Sequence, residues 1–163
     1  MITPVEAYLG LGSNLGDGRR NLNAAWQRLG REAGIELLAL SRFYRSAPVG
    51  MVSEHWFTNA VGRIKTNLPP DKLLGVMLAI ELELGRDRSQ GRDRIIDLDL
   101  LLYGDRIIDL PGCLVPHPDL AERLFVLTPL LELAPELVHP QLHRSIRELH
   151  QAAQAGKEAL CPL

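Results

Sequence analysis

The chain has 163 residues, 46% hydrophobic and 23% charged, a balance that suits one globular domain with a core of its own. A net charge of −2 excludes a general nucleic-acid or membrane-surface binder, although arginines gather locally at Arg86, Arg88, Arg92 and Arg94. No window is apolar over the length of a membrane span, Met1 to Glu6 lacks a signal-peptide pattern, and Cys113 and Cys161 fit no zinc or redox spacing. The expected setting is therefore the cytoplasm, with both thiols reduced.

Val5 to Leu11 is an apolar run that predicts the first strand. The segment Gly10-Leu11-Gly12-Ser13-Asn14-Leu15-Gly16-Asp17 follows it, with glycines that permit close backbone approach. It ends without Lys-Ser/Thr and lacks G-x-G-x-x-G spacing, so it reads as a structural turn or a wall for a flat ligand rather than a phosphate loop. Asp17 is placed to cap a helix from about Arg19 to Leu29, with Leu22, Ala25, Trp26 and Leu29 on one face. Ile35 to Tyr44 reads as the second strand, broken by Arg45-Ser46-Ala47-Pro48-Val49-Gly50, and Met51 to Trp56 as an irregular loop. Phe57 to Thr66 is the third strand, with Ala60, Gly62, Ile64 and Thr66 opposite Asn59, Val61, Arg63 and Lys65.

Pro69-Pro70 opens a second helix that carries Leu73, Leu74, Met77, Ile80, Glu81 and Leu84 in helical period up to Gly85. Glu81 is read as a solvated glutamate near that helix's C-terminal end. Arg86 to Asp93 is a polar loop, and a fourth strand follows it. Tyr103 to Arg106 is expected as a turn, Ile107-Ile108 as a short return strand, and Asp109 to His117 as irregular. Asp119 is placed to cap a turn over Leu120 to Arg123, Leu124 to Ala134 is helical in period, and Ser145 caps a last helix to about Gln154. The tail from Ala155 is expected to fray. The order is β-α-β-β-α-β, an α+β, ferredoxin-like sandwich with an extra hairpin and helices at its C-terminal end.

The run Arg94-Ile95-Ile96-Asp97-Leu98-Asp99-Leu100-Leu101-Leu102 carries the chemical signal. In a strand, Asp97 and Asp99 share one face while Ile96, Leu98 and Leu100 point the other way. Two adjacent carboxylates repel, and a divalent cation resolves that conflict; carboxylate oxygens suit Mg²⁺, which commonly adds substrate phosphates to one or two carboxylates. With the arginines beside them, the pair reads as a clamp for a polyphosphate. D-x-D alone reads first as an edge strand with a solvated acidic face, salt-bridged to nearby arginines.

An ordered series of short motifs decides between these. It runs Gly12-Ser13-Asn14-Leu15-Gly16, Phe43-Tyr44-Arg45-Ser46, Pro48-Val49-Gly50 and Phe57-Thr58-Asn59-Ala60 in the first half. Ile80-Glu81-Leu82-Glu83-Leu84-Gly85-Arg86, Arg94-x-x-Asp97-Leu98-Asp99-Leu100 and Val115-Pro116-His117-Pro118-Asp119 complete it. Over roughly residues 5 to 150 the chain resembles the 6-hydroxymethyl-7,8-dihydropterin pyrophosphokinases of folate biosynthesis. The resemblance implies transfer of pyrophosphate from ATP to the pterin's hydroxymethyl group, with two Mg²⁺ ions and release of AMP. It implies Asp97 and Asp99 as metal ligands and catalytic residues, with Arg86 and Arg94 on the transferring phosphates. On the ATP side it implies Leu74, Arg88, Leu100, Leu114, His117 and Arg123. For the pterin it implies Phe57 and Phe125 as stacking aromatics, Asn59 at the ring edge, Ser46 and Val49 for backbone groups, and Gly12 beside the ring. Small-molecule substrates are the only expected partners, without nucleic acid or membrane, and the expected state is a monomer.

Two departures stand out. Arg92 and Asp93 occupy the places where the family pattern has Gly-Pro, and the loop between Arg86 and Arg94 is shorter and holds no tryptophan. Closure of this loop over a pterin is thereby an open point, with Arg92 available for a stacking or phosphate contact. The alternatives to the enzyme are a pterin- or nucleotide-binding paralogue without efficient transfer, and a ferredoxin-like regulatory module.

Overall fold

A computed structural model describes residues 3–47, 55–85, 93–154 and 160–163, the last strand by its backbone. The sheet is built around β1 (Val5–Ser13), which lies between β4 (Phe57–Thr66) and β5 (Asp97–Tyr103) and runs antiparallel to both. The far side of β4 pairs with β2 (Ile35–Leu40) and, further along, with β3 (Tyr44–Ser46). Its order is therefore β5-β1-β4-β2, all antiparallel, as the β-α-β-β-α-β reading requires.

Alternation along β1 sorts the two sides of the sheet. Ala7, Leu9 and Leu11 pack against α1 (Gly18–Leu29) and α2 (Pro70–Glu83), with Leu22, Ala25 and Leu29 from the first helix and Leu73, Met77 and Ile80 from the second. Tyr8, Val61, Leu101 and Leu102 pack on the other side against α3 (Leu124–Leu133) and α4 (Ile146–Ala153). Asp17 caps α1 by accepting the Arg20 N–H, and Ser145 and Glu148 form a reciprocal capping box on α4. Among the described residues no helix is long and apolar enough to cross a membrane.

Four expectations change. The strand expected over Ile35–Tyr44 splits into β2 and β3, because Ser41 interposes its hydroxyl, accepting the Val61 N–H, after a register shift between Leu37 and Ala39. Tyr103 belongs to β5 rather than to a turn, and its hydroxyl donates to the Leu68 carbonyl at 2.6 Å. The segment expected as irregular forms a hairpin: β6 (Ile108–Leu110) pairs with β7 (Cys113–Val115) around Gly112, whose φ of +75° suits the turn. The end of the tail forms a strand, since β8 (Leu160–Pro162) pairs with the edge of β3. Strand pairing with a distant partner outweighs weak local propensity there.

Candidate active site

β5 is a sheet edge, and its first half keeps strict alternation. Leu98 and Leu100 enter the α1/α2 core while Asp97 and Asp99 face a cavity on the opposite side. The register then shifts: Leu9 pairs with Leu100 and Tyr8 with Leu102, so Leu101 is an extra residue. This bulge lets Leu101 and Leu102 both reach the α3/α4 side. The alternation that aims the carboxylates thus ends one residue after Leu100.

The carboxylates are electrostatically crowded. Burial, then the neighbouring Asp97 and Glu81, push the Asp99 carboxyl up from 3.8 to about 7, with Arg94 opposing. Arg94 donates through Nη2 to Asp97 Oδ2 at 3.2 Å, and its guanidinium carbon lies 5.1 Å from the centre of the Phe57 ring. Glu81 corrects the sequence reading: it is 5% exposed, and its Oε2 accepts the Leu98 N–H at 2.7 Å, between the two aspartates. Its signal was its spacing, four residues after Met77 on the buried stripe of α2. Among the described residues no group of three or more His, Cys, Asp or Glu is placed to hold a metal ion.

The cavity, of about 90 Å³, joins these charges to a polar strip and two aromatic rings. Gly12, Ser46, Phe57, Asn59 and Phe125 all line it together with Arg94, Asp97 and Asp99. Asn59, 5% exposed, donates from Nδ2 to Ser46 Oγ at 2.7 Å. A β-carbon on Gly12 would stand 3.5 Å from Asn59 Oδ1, so glycine keeps this wall low. Gly10 and Leu101 complete the floor; the motif series gave no mark of them, though period-two continuation from Gly12 and Asp99 reaches both.

A second, more open groove of about 300 Å³ runs along the free edge of β5, and Asp99 lines it as well. Leu74 from α2, Leu100, Leu114 from β7 and His117 meet there. His117 accepts the Asp119 N–H on Nδ1 at 3.1 Å, and its burial lowers its proton affinity, so the neutral ring carries its proton on Nε2. Arg123 does not line the groove and stands 4.0 Å from Asp119. Asp119 makes no side-chain cap to the short 3₁₀ turn Leu120–Glu122. Val49, Arg86, Arg88 and Arg92 lie outside the described residues.

A family model described as 7,8-dihydro-6-hydroxymethylpterin-pyrophosphokinase matches residues 8–135. A Pseudomonas aeruginosa protein named 2-amino-4-hydroxy-6-hydroxymethyldihydropteridine pyrophosphokinase is 43% identical over 136 residues, covering 83% of this chain and 84% of that one. The protein of that name from Methylorubrum extorquens is 44% identical over 134 residues, covering 82% and 85%. The crystal structure of a Plasmodium falciparum HPPK-DHPS triple mutant with SDX-DHP shares the fold, with a TM-score of 0.71 at 18% identity over 93% of this chain. This chain spans 44% of that one.

Proposed function

The chain belongs to the 7,8-dihydro-6-hydroxymethylpterin-pyrophosphokinase family, and on that premise we propose that its two cavities hold the two substrates of one transfer, with Asp99 at their junction. It is a 2-amino-4-hydroxy-6-hydroxymethyldihydropteridine pyrophosphokinase of folate biosynthesis that uses ATP as co-substrate. The carrying observation is that one carboxylate lines both the aromatic cavity and the edge groove. The pterin hydroxymethyl oxygen attacks the β-phosphorus of ATP. A bond forms from that oxygen to phosphorus as its hydroxyl proton is released to solvent, the bond to the α-phosphate oxygen breaks, and AMP departs with that oxygen.

The pterin lies in the cavity between Phe57 and Phe125, with Asn59 and Ser46 along its rim, Gly12 beneath it and Val49 offering backbone groups. ATP lies along the edge of β5, with its nucleoside against Leu74, Leu100 and Leu114 and its phosphates toward His117, Arg88 and Arg123. Arg86 and Arg94 engage the transferring phosphates, where alignment and charge neutralisation supply most of the catalysis.

Asp97 and Asp99 suit Mg²⁺. They offer hard oxygen donors on one face, and Asp99 is raised to about 7 first by burial and then by the Asp97 and Glu81 carboxylates, whose charge a dication would neutralise. Two such ions, bound with ATP, would be held by Asp97 and Asp99 and would supply neutralisation of the phosphate charge. Two protein carboxylates leave room for phosphate oxygens, the usual arrangement for this ion. The reaction calls for a compartment that contains ATP, and the proposed setting is the cytoplasm, with the chain as a monomer.

The test is AMP release from ATP, Mg²⁺ and 6-hydroxymethyl-7,8-dihydropterin. Pterin-dependent AMP from the wild type, absent with Asp97→Ala, supports the assignment. Folded wild type that binds both substrates and releases no AMP would mark a silent paralogue.

A further inference from the structure

We propose that Asn14 and Asp93 form a latch that sets the direction of Arg94 at the reacting phosphates, an inference that rests on the role given to Arg94 above. Asn14 follows the last residue of β1 and is 6% exposed. It makes three hydrogen bonds to Asp93 and Arg94. Its N–H donates to the Arg94 carbonyl at 3.0 Å, its Oδ1 accepts the Arg94 N–H at 2.7 Å, and its Nδ2 donates to Asp93 Oδ1 at 2.8 Å.

The paired ladder between β1 and β5 ends at Gly12 and Asp97. Asn14 carries the connection beyond it, with side chain and backbone together holding both polar backbone groups of Arg94. With those groups held, the root of the side chain is fixed, and from it the guanidinium reaches Asp97 and crosses Phe57. The turn bearing Asn14 is itself braced, because Asn21 on α1 donates to Ser13 Oγ at 3.1 Å and to the Leu15 carbonyl at 2.9 Å. A chain of contacts therefore runs from the body of α1 to a side chain of the site. Rigid support of this kind is what a positioned catalytic group needs. Asp93 contributes an acceptor that a proline at this position would not have.

The latch acts through Arg94, so its signature is coupling. Pterin-dependent AMP release and pterin affinity are measured for Asn14→Ala, Asp93→Ala, Asp93→Asn, Arg94→Ala and the double variant Asp93→Ala/Arg94→Ala, each checked for folding by its thermal transition. Asn14→Ala is expected to lower kcat about 10- to 100-fold, the range that misplacement of a catalytic group by about 1 Å produces. Asp93→Ala is expected to lower it by less, and Asp93→Asn, which keeps the acceptor, to restore most of the rate. Pterin Kd stays within about twofold, and adding Asp93→Ala to Arg94→Ala costs nothing further, because coupled residues are not additive. If Asn14→Ala fails to fold, the Asp93 and Arg94 cycle decides alone. A multiplicative double variant, or full rates from a folded Asp93→Ala, overturns the latch. Full activity from Arg94→Ala instead overturns the role given to Arg94.

Discussion

Asp99 gives the most quantitative prediction. Its carboxyl binds a proton at about 7 in the folded chain against 3.8 ordinarily, chiefly because it is buried and then because Asp97 and Glu81 lie near. A carboxyl raised in this way stabilises the fold when protonated, and that contribution is lost as pH rises through the folded value. Between pH 5 and pH 8 the loss is about 2.5 kcal/mol, from 1.36 kcal/mol per tenfold change in proton affinity. That corresponds to roughly 5–10 °C in Tm for a chain of this size. Asp99→Asn removes the ionisation while keeping a similar shape. The assay is thermal unfolding of chelator-treated wild type and Asp99→Asn across this pH range, read as the difference between the two. His117, His139 and His150 have proton affinities lowered by burial, so their contribution grows up to their ordinary value near 6.5 and then holds constant. They are present in both proteins and cancel in the difference. The expected result is a wild type that falls below Asp99→Asn as pH rises, with the variant inactive. Parallel curves at every pH would refute the idea that Asp99 holds a proton near neutrality.

Four other variants probe separate parts of the argument. Glu81→Gln keeps an acceptor for the Leu98 N–H but removes a charge that raises Asp99, so the pH-dependent loss of stability should begin at lower pH; an unmoved curve would mean that the two carboxylates do not interact. Asn59→Ala should weaken pterin binding at least about tenfold, the scale of one lost buried hydrogen bond, and leave Mg·ATP binding unchanged by calorimetry. Gly62→Ala would drive a β-carbon into the Trp26 ring and should cost about 1–3 kcal/mol, read as a lower Tm that Trp26→Ala partly restores. Ser145→Ala removes the capping box of α4 and should cost about 1 kcal/mol with no change in AMP release.

Much of the frame was legible because it is written in short-range pattern. Helix α1, its Asp17 cap, the capping residue of α4 and the split faces of β4 all follow from spacing and from side chains that act on their own neighbours. The direction of Asp97 and Asp99 was legible for the same reason, since period two needs no partner. What stayed hidden depends on distant contacts. Ser41 interrupts a strand only because Val61 offers it an N–H, and β8 exists only because the edge of β3 is free to receive it. Glu81 sat on the apolar stripe in plain view, yet an isolated helix gives no reason to bury a carboxylate. That reason is the edge N–H of Leu98, seventeen positions along the chain. Asn14 was legible as part of a turn, while its grip on Arg94 spans 80 positions.

The meeting of two substrates proposed at Asp99 would follow from where β5 sits. In the middle of the sheet, a strand residue opens only toward a face, because both flanks are occupied by neighbours. At the edge it also opens sideways, and Asp99 uses both directions: toward the cavity over the sheet and toward the groove beside it. Exposed strand edges invite unwanted pairing, so their free N–H and carbonyl groups need covering. Here Glu81 takes the Leu98 N–H, and the His117 N–H takes the Leu101 carbonyl at 3.0 Å. The cover comes from one side chain of α2 and one backbone group past β7, and Asp99 lies between these two points on the strand. The helix glutamate that covers the Leu98 N–H also adds to the raising of Asp99, after burial and Asp97. One carboxylate therefore both covers part of the strand edge and adds to the charge around Asp99, where the proposed dication would sit.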